Sequence, residues 1–97
     1  MQRLFAVTRS RGPDWNGSRP LEEQEDWQLH ADFMNALHEA GFVLLGGTLE
    51  GTADALPIVR ATDADEIRSR LRADPWSERL LKVTQVVPWT LRLGSLG

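Results

Sequence analysis

Pro20–Gly47 reads PLEEQEDWQLHADFMNALHEAGFVLLGG, and the change of period inside it decides the fold. Up to Gly41 the apolar residues recur at helical spacing. At about 100° per residue, Trp27, Met34, Leu37 and Gly41 fall in one stripe, while Gln28, Asp32, Asn35 and Glu39 point away from it. Pro20 suits a first helical turn, Glu22 and Glu23 suit the positive end of the helix, and Gly41 suits its C-terminal cap. The spacing therefore predicts one amphipathic helix over 20–41. Beyond Gly41 the period is lost: Phe42–Leu45 is a short apolar run, read as a strand that runs into Gly46-Gly47. His30 lies inside the apolar stripe, where a leucine is expected. It is either a satisfied core residue or the floor of a pocket.

Working outward, Arg3–Arg9 (RLFAVTR) is strand-like, and Ser10–Arg19 (SRGPDWNGSR) is a loop rich in Gly, Pro, Asp and Asn. Glu50–Ala53 is a turn, and Ile58-Val59 marks a third strand. Asp63 with Glu66 three residues on predicts a capping box opening a second helix, with Ala64, Ile67 and Leu71 on one face. Asp74-Pro75 stops it, since a residue before proline is driven out of the helical region. In the last strand Val83, Gln85, Val87, Trp89, Leu91 and Leu93 alternate with Thr84, Val86, Pro88, Thr90 and Arg92. The order β-α-β-β-α-β is the ferredoxin-like arrangement, an α+β fold with a four-stranded antiparallel sheet and two helices on one face. Pro88 agrees with an edge position for the last strand. Pro57 conflicts with a central third strand unless the strand begins there or carries a bulge.

Residues 1–97 suffice for one domain with a modest core. A net charge of −3 with scattered arginines gives no support to nucleic-acid binding. The absence of cysteine excludes disulfides, thiolate metal sites and a Cys nucleophile. No apolar run approaches the roughly 20 residues needed to span a bilayer. Met1–Arg3 shows no signal-peptide pattern, so a cytoplasmic location without membrane contact is expected.

If the first strand runs up, the loop after it, the hairpin between the second and third strands, and the end of the second helix share one end of the domain. That end gathers Trp15, Gly46, Gly47, Asp74 and Trp76, with His30 on the adjoining helix. An apolar cleft with a few convergent polar groups is the usual binding-site pattern. A histidine paired with Asp74 keeps one tautomer and leaves its other nitrogen to move a proton near neutral pH. The alternative for Asp74 is a helix-stop residue bonded to nearby backbone N–H groups. Ser77 is either a ligand contact or a cap. His38, about 80° round the helix from His30, reads as a surface or interface residue. Trp27 and Trp89 read as core or interface, Trp15 and Trp76 as pocket residues. No third ligand stands at useful spacing from His30, so neither a metal nor another cofactor is expected.

The combination of HADFMNALHEAGFVLLGG (His30–Gly47) with RADPWSERLLKVTQVVPWTL (Arg72–Leu91) resembles the YciI-like, YCII-related domain family, small dimeric α+β-barrel proteins. The residues carrying the likeness are His30, Gly41 with Gly46 and Gly47, Asp74-Pro75-Trp76, and Val87-Pro88-Trp89. Gly46-Gly47 departs from the commoner Gly-Pro, and the Ser10–Asp26 segment is longer and richer in Trp than in the shortest relatives. The resemblance implies a site formed by His30 and Asp74; some relatives are connected with dehydrochlorination of hydroxylated aromatics.

Two functions remain open. One is a small cofactor-free enzyme of the lyase or isomerase type, using His30 and Asp74 in proton transfer, with Trp15, Gly46, Gly47, Trp76 and Ser77 as substrate contacts. The other is a non-catalytic module that only holds a small molecule. The surroundings of His30 discriminate: one ring nitrogen on Asp74 and the other on an open cavity favours the enzyme. Trp15, on a loop of Gly, Pro and Asn, is expected to cap the pocket as a mobile lid. The uncovered sheet face predicts a homodimer, with Leu91 among its contacts.

Overall fold

The computed structural model describes residues 1–96. Its elements are β1 (Arg3–Arg11), α1 (Trp27–Glu39), β2 (Val43–Leu45), β3 (Asp54–Ala55), β4 (Ile58–Ala61), α2 (Ala64–Leu71) and β5 (Leu81–Trp89). All strands join one antiparallel sheet with β1 at its centre: β5 pairs one edge of β1, β3 and β4 pair the other, and β2 lies outside β4. This is the α+β arrangement expected from the element order.

The Pro57 conflict resolves without a bulge. Arg3↔Ala61 and Ala6↔Ile58 in β4 keep the same register as Arg9↔Ala55 and Ser10↔Asp54 in β3. The third strand is therefore one strand interrupted at Leu56-Pro57, where proline cannot donate to the ladder. Its carbonyl still accepts from Val7 N (3.0 Å), which holds the two halves in line.

The first helix starts later than the period suggests. Leu21–Glu23 form a separate 3-10 turn, and Asp26 adopts a left-handed conformation (φ 58°) that α-helix cannot continue through. Gln24 is buried and bonds loop backbone instead: its side chain accepts from Asn16 N (2.9 Å) and donates to the carbonyls of Asn16 (2.8 Å) and Arg19 (2.9 Å). At the far end Gly41 takes φ 78°. Gly41 N donates to His38 O and Phe42 N to Leu37 O, a complete Schellman cap that turns Phe42 into the core. In α2 the side chain of Asp63 accepts from Glu66 N (2.8 Å), and Glu66 reaches back to Thr62 N (2.8 Å).

The last strand corrects the alternation. Its register with β1 slips by one residue between Thr8↔Gln85 and Arg9↔Val83, leaving Thr84 as the extra residue of a bulge. Val83 and Val86 therefore both pack against the core, while Val87 (41% exposed) and Trp89 (38% exposed) remain open to solvent. The strand ends at Trp89, so Leu91 and Leu93 lie beyond it.

The core sits between the sheet and the two helices. Phe5, Val7, Phe42, Val43, Val59, Ala61, Ile67 and Leu71 are buried together, with Phe33, Met34 and Leu37 of α1 packed against them. Full burial of each aliphatic or Phe side chain contributes about 1.5–3 kcal/mol. A second cluster of Trp76, Leu80 and Leu81, flanked by Trp15, Leu21 and Trp27, carries the end of the domain where the polar residues gather.

Candidate functional site

β1 faces the core with Phe5, Val7 and Arg9, alternate residues of one strand. Arg9 is only 2% exposed, and its Nη1 donates to Asp74 Oδ2 at 2.8 Å, with Met34 Sδ at 3.8 Å. Asp74 follows α2 and is 3% exposed. Its carboxylate lies 2.9 Å through either oxygen from His30 Nδ1, and Oδ1 also accepts from Trp76 N at 2.9 Å. Burial pushes the Asp74 carboxyl up. The hydrogen bonds from His30 and Trp76 and the charges of Arg9 and His30 outweigh it, and hold the group below its ordinary range.

An ionised carboxylate only accepts, so His30 Nδ1 carries a proton and, in the neutral ring, Nε2 is bare. Trp76 lies flat on the imidazole, with ring centroids 4.0 Å apart and planes 6° apart. The indole Nε1 of Trp76 donates to Glu25 O, fixing the stacking partner in turn. His30 lines a cavity of about 610 Å³, and its Nε2 has no protein partner among the described residues. Arg9 Nε is a buried donor without a partner among the described residues.

The cavity lies between α1, the upper end of β1 and the 46–55 hairpin. Of the residues expected from sequence, Trp15, Gly46 and Gly47 line it with His30. Asp74 sits behind the imidazole. Trp76 is fully buried, so it supports His30 and presents no surface to a ligand. Ser77 lies off the cavity, its N–H donating to Asp74 O (2.9 Å) in the turn that follows α2. Neither Trp76 nor Ser77, both expected as substrate contacts, lines this cavity.

The loop bearing Trp15 is tied down, contrary to its composition. Gly12 N donates to Leu80 O (2.8 Å) and Asp14 N to Arg79 O (2.8 Å), while Gln24 holds Asn16. A Cβ at Gly12 would fall against the carbonyl of Arg79, so the close approach requires glycine. Trp15 meets Trp76 edge-on, with centroids 5.7 Å apart. Trp15 is a wall of the cavity, on a loop whose backbone is bonded to the 79–80 segment and to Gln24.

Sequence reasoning missed Arg9, although its signal was present: Arg9 continues the period-two face of Phe5 and Val7. His38, read as a surface or interface residue, is exposed; it also borders the same cavity, its Nδ1 donating to Val43 O at 2.8 Å. Among the described residues no group of three or more His, Asp or Glu side chains is placed to hold a metal ion, and no helix is long and apolar enough to cross a membrane.

No family model matches the chain, and no curated protein matches it at a significant level. Among solved structures it is similar to 5-chloro-2-hydroxyhydroquinone dehydrochlorinase from Burkholderia phenoliruptrix AC1100, in complex with 2,5-dihydroxybenzoquinone. The TM-score is 0.62 at 20% identity, over 94% of this chain and 95% of that one. The two chains share a fold.

Proposed function

We propose that this chain is a small acid–base enzyme of the lyase or isomerase type, related to the YciI-like domains, in which His30 moves a proton on a small molecule held in the cavity. The observation that carries this reading is the environment of His30. Nδ1 is pinned by a buried carboxylate, one ring face is covered by Trp76, and Nε2 is left without a protein partner in a ring that lines the cavity. An imidazole held only as a core residue would have both nitrogens engaged. Here Nε2 is the base: it accepts a proton from an acidic O–H or C–H of the substrate. The electron pair left behind moves through the substrate to expel a leaving group, or to shift a double bond before the proton returns. Asp74 touches only His30 and scaffold groups, so it orients the ring and stabilises the imidazolium that forms. The dehydrochlorinase of the same fold, with its bound quinone, supports a planar oxygenated ring as substrate.

The test is turnover and proton exchange in the wild type and His30→Gln. 5-Chloro-2-hydroxyhydroquinone is offered with chloride release as the readout, alongside a panel of cyclic carbon acids in D2O with deuterium incorporation followed by NMR. His30-dependent chloride release or exchange is expected. Equal rates in the wild type and His30→Gln would overturn the assignment. Saturable ligand binding with no turnover and no exchange would leave the non-catalytic module as the function.

A further inference from the structure

β1 directs two arginines in succession to the same side of the sheet, and they meet different fates. Arg9 is neutralised by Asp74. Arg11, two residues further on and hence roughly 7 Å along the strand, has no carboxylate partner among the described residues. Its guanidinium lies over the Trp15 ring, 4.7 Å from the centroid, and both side chains line the cavity that His30 borders. Arg19 also lines it without an ion pair among the described residues, although Asp14, Glu23 and Glu25 stand with it around a second, smaller cavity. The acidic residue of the lining is Asp54, which is engaged with Ser10 Oγ at 2.6 Å. In a chain of net charge −3, this leaves an uncommitted cation beside an aromatic wall.

We infer that the cavity takes a small planar organic anion, a carboxylate or enolate, whose charged group is bound by Arg11 while its ring lies along Trp15. A guanidinium resting on an indole is held in a fixed plane and presents its free N–H edge as a fork, the geometry that carboxylates and enolates match. Arg11 and His30 border the same cavity, so an anion seated at Arg11 shares it with the imidazole. This inference rests on the same cavity as the proposed proton transfer, but it concerns charge selection and is separable from catalysis.

Benzoate and benzamide have nearly the same shape and differ in charge, so they serve as paired probes. Binding is followed by NMR through the indole N–H of Trp15 and the ring of His30. Benzoate is expected to saturate at millimolar concentration and to bind about tenfold more tightly than benzamide, the scale of one charge-assisted pair at a partly solvated rim. Arg11→Gln should remove that preference by weakening benzoate alone, and Arg11→Lys should restore part of it. Unchanged thermal melts would show that both variants fold. Equal affinity for the two probes, no saturable shift with benzoate, or an Arg11→Gln variant that keeps the preference would each overturn the inference. The wild type separates the two readings. A benzoate preference in a wild-type protein that shows no turnover and no exchange removes the catalytic assignment alone. Exchange without the preference removes the anion assignment alone.

Discussion

Replacing Asp74 by Asn keeps the shape of the side chain and removes its charge, and the geometry dictates the consequence. The carboxylate takes Arg9 Nη1 on Oδ2, Trp76 N on Oδ1 and His30 Nδ1 between them. An amide has one acceptor oxygen. Turned one way it sets an NH2 group against the guanidinium; turned the other, against the N–H of Trp76. Neither orientation satisfies all three donors, and Arg9 becomes a buried cation with no counter-charge. Removing one partner of such a pair costs about 3–5 kcal/mol. That is a large share of the roughly 5–15 kcal/mol that holds a domain together. For a chain of this length the loss lowers Tm on the order of 15–25 °C. Chemical denaturation of the wild type, Asp74→Asn, Arg9→Met and the double variant measures it. Because Arg9→Met removes the stranded charge, the double variant should be less destabilised than the two single losses added, by at least about 1 kcal/mol. An Asp74→Asn protein within about 1 kcal/mol of wild type, or strictly additive losses, would refute a buried ion pair as the organising contact of the site.

The same carboxylate sets a pH dependence. Asp74 titrates lower in the folded chain than in the unfolded one. Its stabilisation is therefore complete above the unfolded carboxylate value of about 3.9 and is lost as pH falls through the folded value. Wild-type stability should drop below about pH 4, and its margin over Asp74→Asn should narrow there; a margin constant into strong acid would contradict the assignment. On the open sheet face, Val87→Asp should convert a dimer burying about 1,200–2,000 Å² into a monomer. Sedimentation of the wild type as a monomer at micromolar concentration would dismiss that interface.

Where local chemistry and tertiary structure agree, the sequence is easily read. Asp63 and Glu66 cap α2 as their spacing indicates, and Gly41 ends α1 through a Schellman cap. The misreadings share a cause: a contact with another segment of the chain. Gln24 fits a helical pattern but is taken up by the backbone of Asn16 and Arg19, so α1 waits until Trp27. A one-residue bulge at Thr84 depends on pairing with β1, and period-two counting along β5 alone has no access to it. His30 and Asp74 stand out in the sequence as separate residues. Arg9, which completes their contact, is hidden there because an arginine closing a strand ordinarily reaches solvent.

The residues that orient the imidazole and those that shape the cavity belong to different parts of the chain. Asp74 and Trp76, two positions apart, supply both the acceptor and the stacking surface for His30. The opposite wall is the 46–55 hairpin, an exposed segment that makes no hydrogen bond to either residue. Replacements and insertions in that hairpin can therefore remodel what the cavity admits without disturbing His30, as is usual for loops carried on a rigid scaffold. Under the proposed function, a lineage built on this chain would diversify its substrates at the hairpin tip and leave the Asp-Pro-Trp turn untouched. Its ligand range is thus open to selection at little cost in folding stability.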